Sequence, residues 1–157
     1  MKITLLTVGK TTFPFVKEGC DIFIKRIKHY TPFEYIEIPE LKNTSSLSKD
    51  QIKEKEGELI LKQIKNTDKV ILLDEKGKQF TSVEWAREIE KEGICGTKSI
   101  VFIVGGAYGF APSVYNRADS KLSLSAMTFS HQIIRLFFIE QIYRAFTIIK
   151  GEPYHNE

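Results

Sequence analysis

Residues 99–104 read Ser-Ile-Val-Phe-Ile-Val, and no other stretch narrows the fold as much. An apolar, largely β-branched run with no polar face has to be covered on both sides. Such a run marks a central strand of a parallel sheet, which requires helices on both faces. The flanking sequence supplies them. Residues 3–8 are a short apolar run ended by Gly9, and 14–30 place Val16, Cys20, Ile24 and Ile27 at helical spacing. Residues 33–38 alternate apolar and acidic side chains up to Pro39, as in a half-buried or edge strand. Residues 40–47 are polar and predict a mobile loop. Ser48 with Gln51 is a capping box opening a second helix to about Asn66. Residues 69–73 are a buried-strand pattern, and Asp-Glu-Lys-Gly-Lys at 74–78 reads as a turn. Thr81 with Glu84 caps a third helix to about Glu92, and Pro112 opens a short fourth. Residues 122–125 predict a fifth strand and 131–150 a long final helix. Strands alternating with helices predict one α/β domain over residues 1–157, with a mostly parallel sheet flanked by helices.

Composition narrows the function classes. With 42% hydrophobic and 27% charged residues and no low-complexity tract, a folded soluble domain is expected. Lys+Arg outnumber Asp+Glu by 23 to 20, a charge of +3 that permits a nucleic-acid partner but is low for a non-specific binder. Cys20 and Cys95 show neither metal-like nor redox-like spacing, so reduced thiols, a cytoplasmic location and no metal are expected. Met1-Lys2 leads straight into a strand pattern, so no signal segment is expected. The apolar stretch 133–149 is interrupted by Arg135, Glu140 and Arg144, which argues against a membrane span.

In open α/β sheets, ligands sit beyond the carboxyl ends of the strands, which selects the loops at 73–79, 105–111 and 125–131. Gly9-Lys10-Thr11 lacks the upstream glycine of a phosphate loop, and Gly105-Gly106-Ala107-Tyr108-Gly109 is not a dinucleotide fingerprint. Three glycines within 105–109 still suggest close backbone approach to a ligand, beyond the needs of a tight turn. Ser123, Ser125, Thr128 and Ser130 could grip a polar, adenosine-like ligand, while Thr128 or Ser130 could serve as a helix cap. The final helix is apolar all round, which requires burial on every side and predicts a homodimer with residues 131–149 in the interface. Glu140 and Arg144, one turn apart, read as a structural ion pair. Arg135 has no partner nearby in sequence and is a candidate substrate or phosphate contact. His29 and His131 need no chemistry, and His155 lies in a terminal segment expected to be disordered.

Taken in order, several short motifs carry a resemblance. They are Leu73-Asp74-x-x-Gly77-Lys78, Ile103-x-Gly105-Gly106-x-x-Gly109 and Leu122-Ser123-Leu124-Ser125-x-Met127-Thr128. His131-x-x-x-Arg135, Glu140-Gln141-x-Tyr143-Arg144-Ala145 and Pro153-Tyr154-His155 complete the set. The chain resembles, over essentially its whole length, the 23S rRNA pseudouridine N3-methyltransferases of the SPOUT class. The resemblance implies a homodimeric domain with a C-terminal trefoil knot, against the general rule that chains do not knot. It implies S-adenosylmethionine held by Leu73, Gly105, Leu124, Ser125, Ala126, Met127, Thr128 and Phe129. It further implies methylation of a pseudouridine in a 23S rRNA stem-loop within the assembled ribosome. In that setting His155 is the expected general base, with Tyr154 packing on the target base and Arg135 touching RNA. A tRNA methyltransferase on the same scaffold would need a more basic surface or an RNA-binding extension. A non-catalytic rRNA-binding module would leave the Gly- and Ser-rich loops and the Tyr-His tail without a role, and a flavodoxin-like nucleotide binder would lack its phosphate loop.

Overall fold

The computed structural model describes residues 1–156. Along the chain run β1 (Lys2–Val8), α1 (Pro14–Ile27), β2 (Phe33–Ile38), α2 (Lys49–Lys62) and β3 (Lys69–Lys78). Then follow α3 (Ser82–Ile94), β4 (Ser99–Val104), α4 (Pro112–Arg117), β5 (Ser120–Leu122) and α5 (Ile133–Ile149). The strands form one sheet in the order β2-β1-β4-β3-β5, with every pairing between strands parallel. The run at 99–104 is indeed the middle strand, between β1 and β3. Its side chains alternate between two cores. Ile100, Phe102 and Val104 pack with Phe138, Ile139 and Ile142 of α5 and with Trp85 of α3, whereas Val101 and Ile103 pack with Ile60 of α2 and Val114 of α4.

Local signals set the helix starts. Both capping boxes form: Ser48 Oγ accepts from Gln51 N while Gln51 Oε1 accepts from Ser48 N, and Thr81 and Glu84 do the same for α3. Pro14 and Pro112 occupy the first turns of α1 and α4. The ends are less regular: α1 stops at Ile27 and α2 at Lys62, each a few residues before the predicted end.

The segment 74–78 is not a turn. β3 runs on through Lys78, and its pairing with β5 breaks after Leu73–Leu122 and resumes at Lys78, which also pairs with Leu122. Residues 74–77 are thus the bulged stretch of a strand. Gly77 makes this possible, because a Cβ there would lie 2.6 Å from Leu122 N and 2.7 Å from the Lys121 carbonyl carbon. The fifth strand accordingly occupies 120–122 rather than 122–125, which releases 123–132 as one loop before α5. Among the described residues, no helix is long and apolar enough to cross a membrane.

Candidate cofactor cleft and the folded-back tail

A cleft of about 470 Å³ opens at the β3 bulge and the end of β4, within the size range of small-molecule sites. Three segments meet in it: 73–76 from the β3 bulge, 104–110 after β4, and the loop 122–131. Seven of the residues implied by the resemblance line it together: Leu73, Gly105, Leu124, Ser125, Met127, Thr128 and Phe129. Ala126, the eighth, is not on its wall. The glycines are there for close packing. A Cβ on Gly105 would lie 3.0 Å from the Phe110 ring, and one on Gly106 would lie 2.7 Å from a Glu56 carboxylate oxygen. Gly109 sits at φ +84°, in the left-handed region that suits glycine.

The loop 122–131 is held by its own hydroxyls. Ser123 Oγ donates to the Ser125 carbonyl at 2.9 Å, and Ser125 Oγ accepts from Met127 N at 3.0 Å. Ser130 Oγ accepts from Ile133 N at 3.1 Å and so caps the start of α5. Thr128 does something else: its hydroxyl reaches across the cleft to Glu75 at 3.2 Å. The lining mixes apolar Leu73, Leu124, Phe129 and Ile134 with polar Asp74, Glu75, Lys76 and Ser123. This mixture suits a small ligand with both apolar and polar parts.

Asp74 anchors the acidic side. Burial pushes its pKa up, but the Tyr115 hydroxyl and the Lys76 amide, both donating to it, outweigh that and hold the carboxyl below its ordinary value. Burial and the Asp74 contact push the Tyr115 phenol up to about 12. Behind the glycine loop, Glu56 on α2 has a buried carboxylate oxygen, Oε1, with no hydrogen-bond partner. Burial and the nearby Glu40 charge raise its pKa.

Arg135 is not an RNA contact in this arrangement. It is fully buried, and its guanidinium donates to the carbonyls of His131, Gly9 and Val8 at 2.9 Å each and to Thr11 Oγ1 at 3.0 Å. Glu37 Oε2 lies 3.7 Å away and accepts from Thr11 N. Its neighbour Gln132 completes the clamp, accepting from Thr12 N at 2.9 Å and donating to the Lys10 carbonyl at 3.0 Å. The start of α5 therefore fastens the loop 9–12 after β1. The sequence hid this because the Val8, Gly9 and Thr11 acceptors lie more than 120 positions upstream.

The tail departs from expectation in another way: residues 151–156 fold back on α5 instead of fraying. Tyr154 Oη donates to Glu140 Oε1 at 2.8 Å, and the same oxygen accepts from Arg144 at 2.6 Å. The expected Glu140–Arg144 pair thus forms, and it doubles as the seat of the tail. The Arg144 guanidinium lies 4.7 Å from the Tyr154 ring centroid, and Tyr143 meets that ring edge-on at 4.7 Å. Arg144 also donates to His155 Nδ1 at 3.0 Å, so a neutral ring carries its proton on Nε2. Burial and the Glu140 carboxylate raise the Tyr154 pKa. Neither Tyr154 nor His155 lines the cleft of its own chain.

Sequence reasoning missed Tyr108, Phe110, Tyr115, His131 and Ile134 on the cleft wall. The strand-end rule had selected the loops that hold the first two and His131. Tyr115 had no signal beyond its place one turn into the helix that follows the glycine loop.

A family model described as "Predicted SPOUT methyltransferase" matches residues 1–155. The chain is 53% identical over 156 residues to a "Ribosomal RNA large subunit methyltransferase H" of Cytophaga hutchinsonii, covering 99% of this chain and 100% of the relative. Proteins of the same name from Parabacteroides distasonis and Flavobacterium johnsoniae are 54% and 50% identical over 157 residues, covering 100% of both chains in each case. The parallel α/β sheet, the three-loop cleft and a family match over 155 residues agree: the chain belongs to the SPOUT methyltransferase family.

Proposed function

We propose that the protein is an S-adenosylmethionine-dependent methyltransferase of the cytoplasm that acts, as a homodimer, on N3 of a pseudouridine in a 23S rRNA stem-loop of the assembled ribosome. The observation that carries the reading is the convergence of Leu73, Gly105 and five residues of 124–129 on one cleft with mixed apolar and acidic walls. Its relatives' shared name points to large-subunit rRNA as the class of substrate. The C-terminal trefoil knot implied by the resemblance belongs to this proposal.

The cofactor supplies a methyl group on a cationic sulfur, already an electrophile. The protein's task is then alignment and removal of one proton. Leu73, Leu124, Phe129 and Ile134 would hold the flat apolar part of such a ligand, while Asp74 and Glu75 would offer negative charge to its positive centre. N3 of the acceptor carries a proton that must leave as the N–C bond forms. His155 is the assigned base, with Tyr154 stacking on the target ring. Neither lies on the cleft of its own chain in the resting position, and we assign the tail that serves a cleft to the partner subunit. Nδ1 of His155 accepts from Arg144 in the resting seat, so accepting a proton there requires the ring to leave Arg144. The position on α5 is a parked one, and engagement with RNA moves the tail.

The deciding experiment is transfer of labelled methyl from S-adenosylmethionine to assembled ribosomes, free 23S rRNA and bulk tRNA, with mass spectrometry of the product nucleoside. N3-methylpseudouridine from ribosomes is the expected product. Label on tRNA alone would overturn the substrate and leave the cofactor.

A further inference from the structure

Tyr108 on the glycine loop and Tyr115 on α4 both line the cleft and are 46% and 40% exposed. Each carries a lysine over its ring. Lys49 Nζ, from the first residue of α2, lies 5.4 Å from the Tyr108 centroid, and Lys121 Nζ, from β5, lies 5.7 Å from that of Tyr115. Four separate segments thus bring two tyrosine–lysine pairs to one rim. Among the described residues, neither lysine joins a salt bridge.

An ammonium resting on an aromatic face is attracted by the ring quadrupole and keeps N–H donors for an anion. Holding the side chain in place beforehand lowers the entropy lost when it meets a phosphate. Aromatic faces beside basic side chains are also how proteins take unpaired RNA, with bases on the rings and phosphates on the cations. The wall of the cleft carries the opposite sign. Asp74 and Glu75 outnumber Lys76 there, which favours a cationic ligand and repels phosphate. An acidic wall and a basic rim sort two ligands into two places. A formal charge of only +3 leaves little general attraction for a polyanion, so backbone contacts have to be local.

We propose that the Tyr108–Lys49 and Tyr115–Lys121 pairs form a rim that grips the RNA strand flanking the target nucleotide, with both lysines on phosphates and the exposed Tyr108 ring against a base. The proposal rests on the rRNA methyltransferase reading above. Its test uses the lysines, which do not line the cleft: K49A/K121A, the charge-keeping K49R/K121R and wild type, each assayed for methyl transfer to assembled ribosomes over a range of salt. The alanine pair is expected to raise the ribosome KM roughly tenfold. It should also flatten the slope of log(kcat/KM) against log salt by about 1.4, or 0.7 for each lost phosphate contact. The affinity for S-adenosylmethionine, measured by calorimetry, should stay unchanged, and the arginine pair should restore KM and slope. If wild type methylates ribosomes and the alanine pair matches it in KM and slope, the rim proposal fails alone. If the alanine pair loses cofactor affinity as much as ribosome affinity, the lysines shape the cleft and the proposal fails likewise. If wild type transfers no methyl to ribosomes, the functional reading fails and the rim goes with it.

Discussion

Single side chains here divide into those that react and those that hold. His155→Ala should lower methyl transfer to ribosomes by about 10²- to 10⁴-fold, the range for a general base, with cofactor affinity intact in calorimetry. Near-normal turnover would remove His155 from the mechanism. Arg135 belongs to the second kind. Arg135→Met leaves the Val8 and Gly9 carbonyls without their buried donor and Glu37 without its ion partner. A loss of about 3–5 kcal/mol in urea unfolding is expected. Arg135→Lys should recover little, because one ammonium cannot span acceptors arranged for a fork. Glu56 works against the fold. Its folded pKa is raised, so the native state binds more protons than the unfolded chain between the ordinary glutamate pKa and the raised value. Stability therefore falls as pH rises through that window, and the penalty is fully present above it. Glu56→Gln should raise the urea midpoint at pH 7 and make no such difference below the ordinary glutamate pKa. An equal effect at both pH values would refute the assignment.

Elements show where sequence reading succeeds and where it stops. Strands with a local reason were legible: the apolar run of β4 could only be central, and both capping boxes announced α2 and α3. The bulge at 74–77 was not, because Asp-Glu-Lys-Gly-Lys has turn composition and its strand character comes from β5, more than 40 positions later. The motif resemblance and the strand-end rule picked out residues of which seven of eight meet on one cleft, whereas Arg135 was misread because its Val8 and Gly9 partners come only with the tertiary fold. The tail was misread because its seat is a charged pair and two rings on α5, not an apolar patch of its own. The bulge also has a consequence for ligand binding. Gly77→Ala would press a methyl into the Leu122 and Lys121 backbone at 2.6–2.7 Å and displace the strand that delivers Ser123–Phe129 to the cleft. A loss of about 1–3 kcal/mol in stability is expected, with weaker S-adenosylmethionine binding in calorimetry. Unchanged affinity would uncouple the bulge from the cleft.

For the molecule as a whole, α5 packs against α1, α3 and the sheet and also carries the folded-back tail. Phe137 remains 44% exposed, and α1 presents Phe15 and Ile22, 61% and 46% exposed. Between the two helices a groove of about 420 Å³ is lined by Gly19, Phe23, Leu136 and Phe137, which supports the homodimer proposed above. Ile22→Asp should yield a monomer in sedimentation, keep cofactor affinity and lose methyl transfer, since a cleft would then lack the other subunit's tail. A monomer with full turnover would place the working tail in the same chain. The Arg135–Gln132 clamp bears on the order of folding as well as on the finished fold. The loop 9–12 takes its buried hydrogen bonds from residues 132 and 135, 120 or more positions later in the sequence. Closing a loop of that length costs more entropy than pairing residues within a helix or between nearby elements, so completion of the corner after β1 should be among the last events of folding.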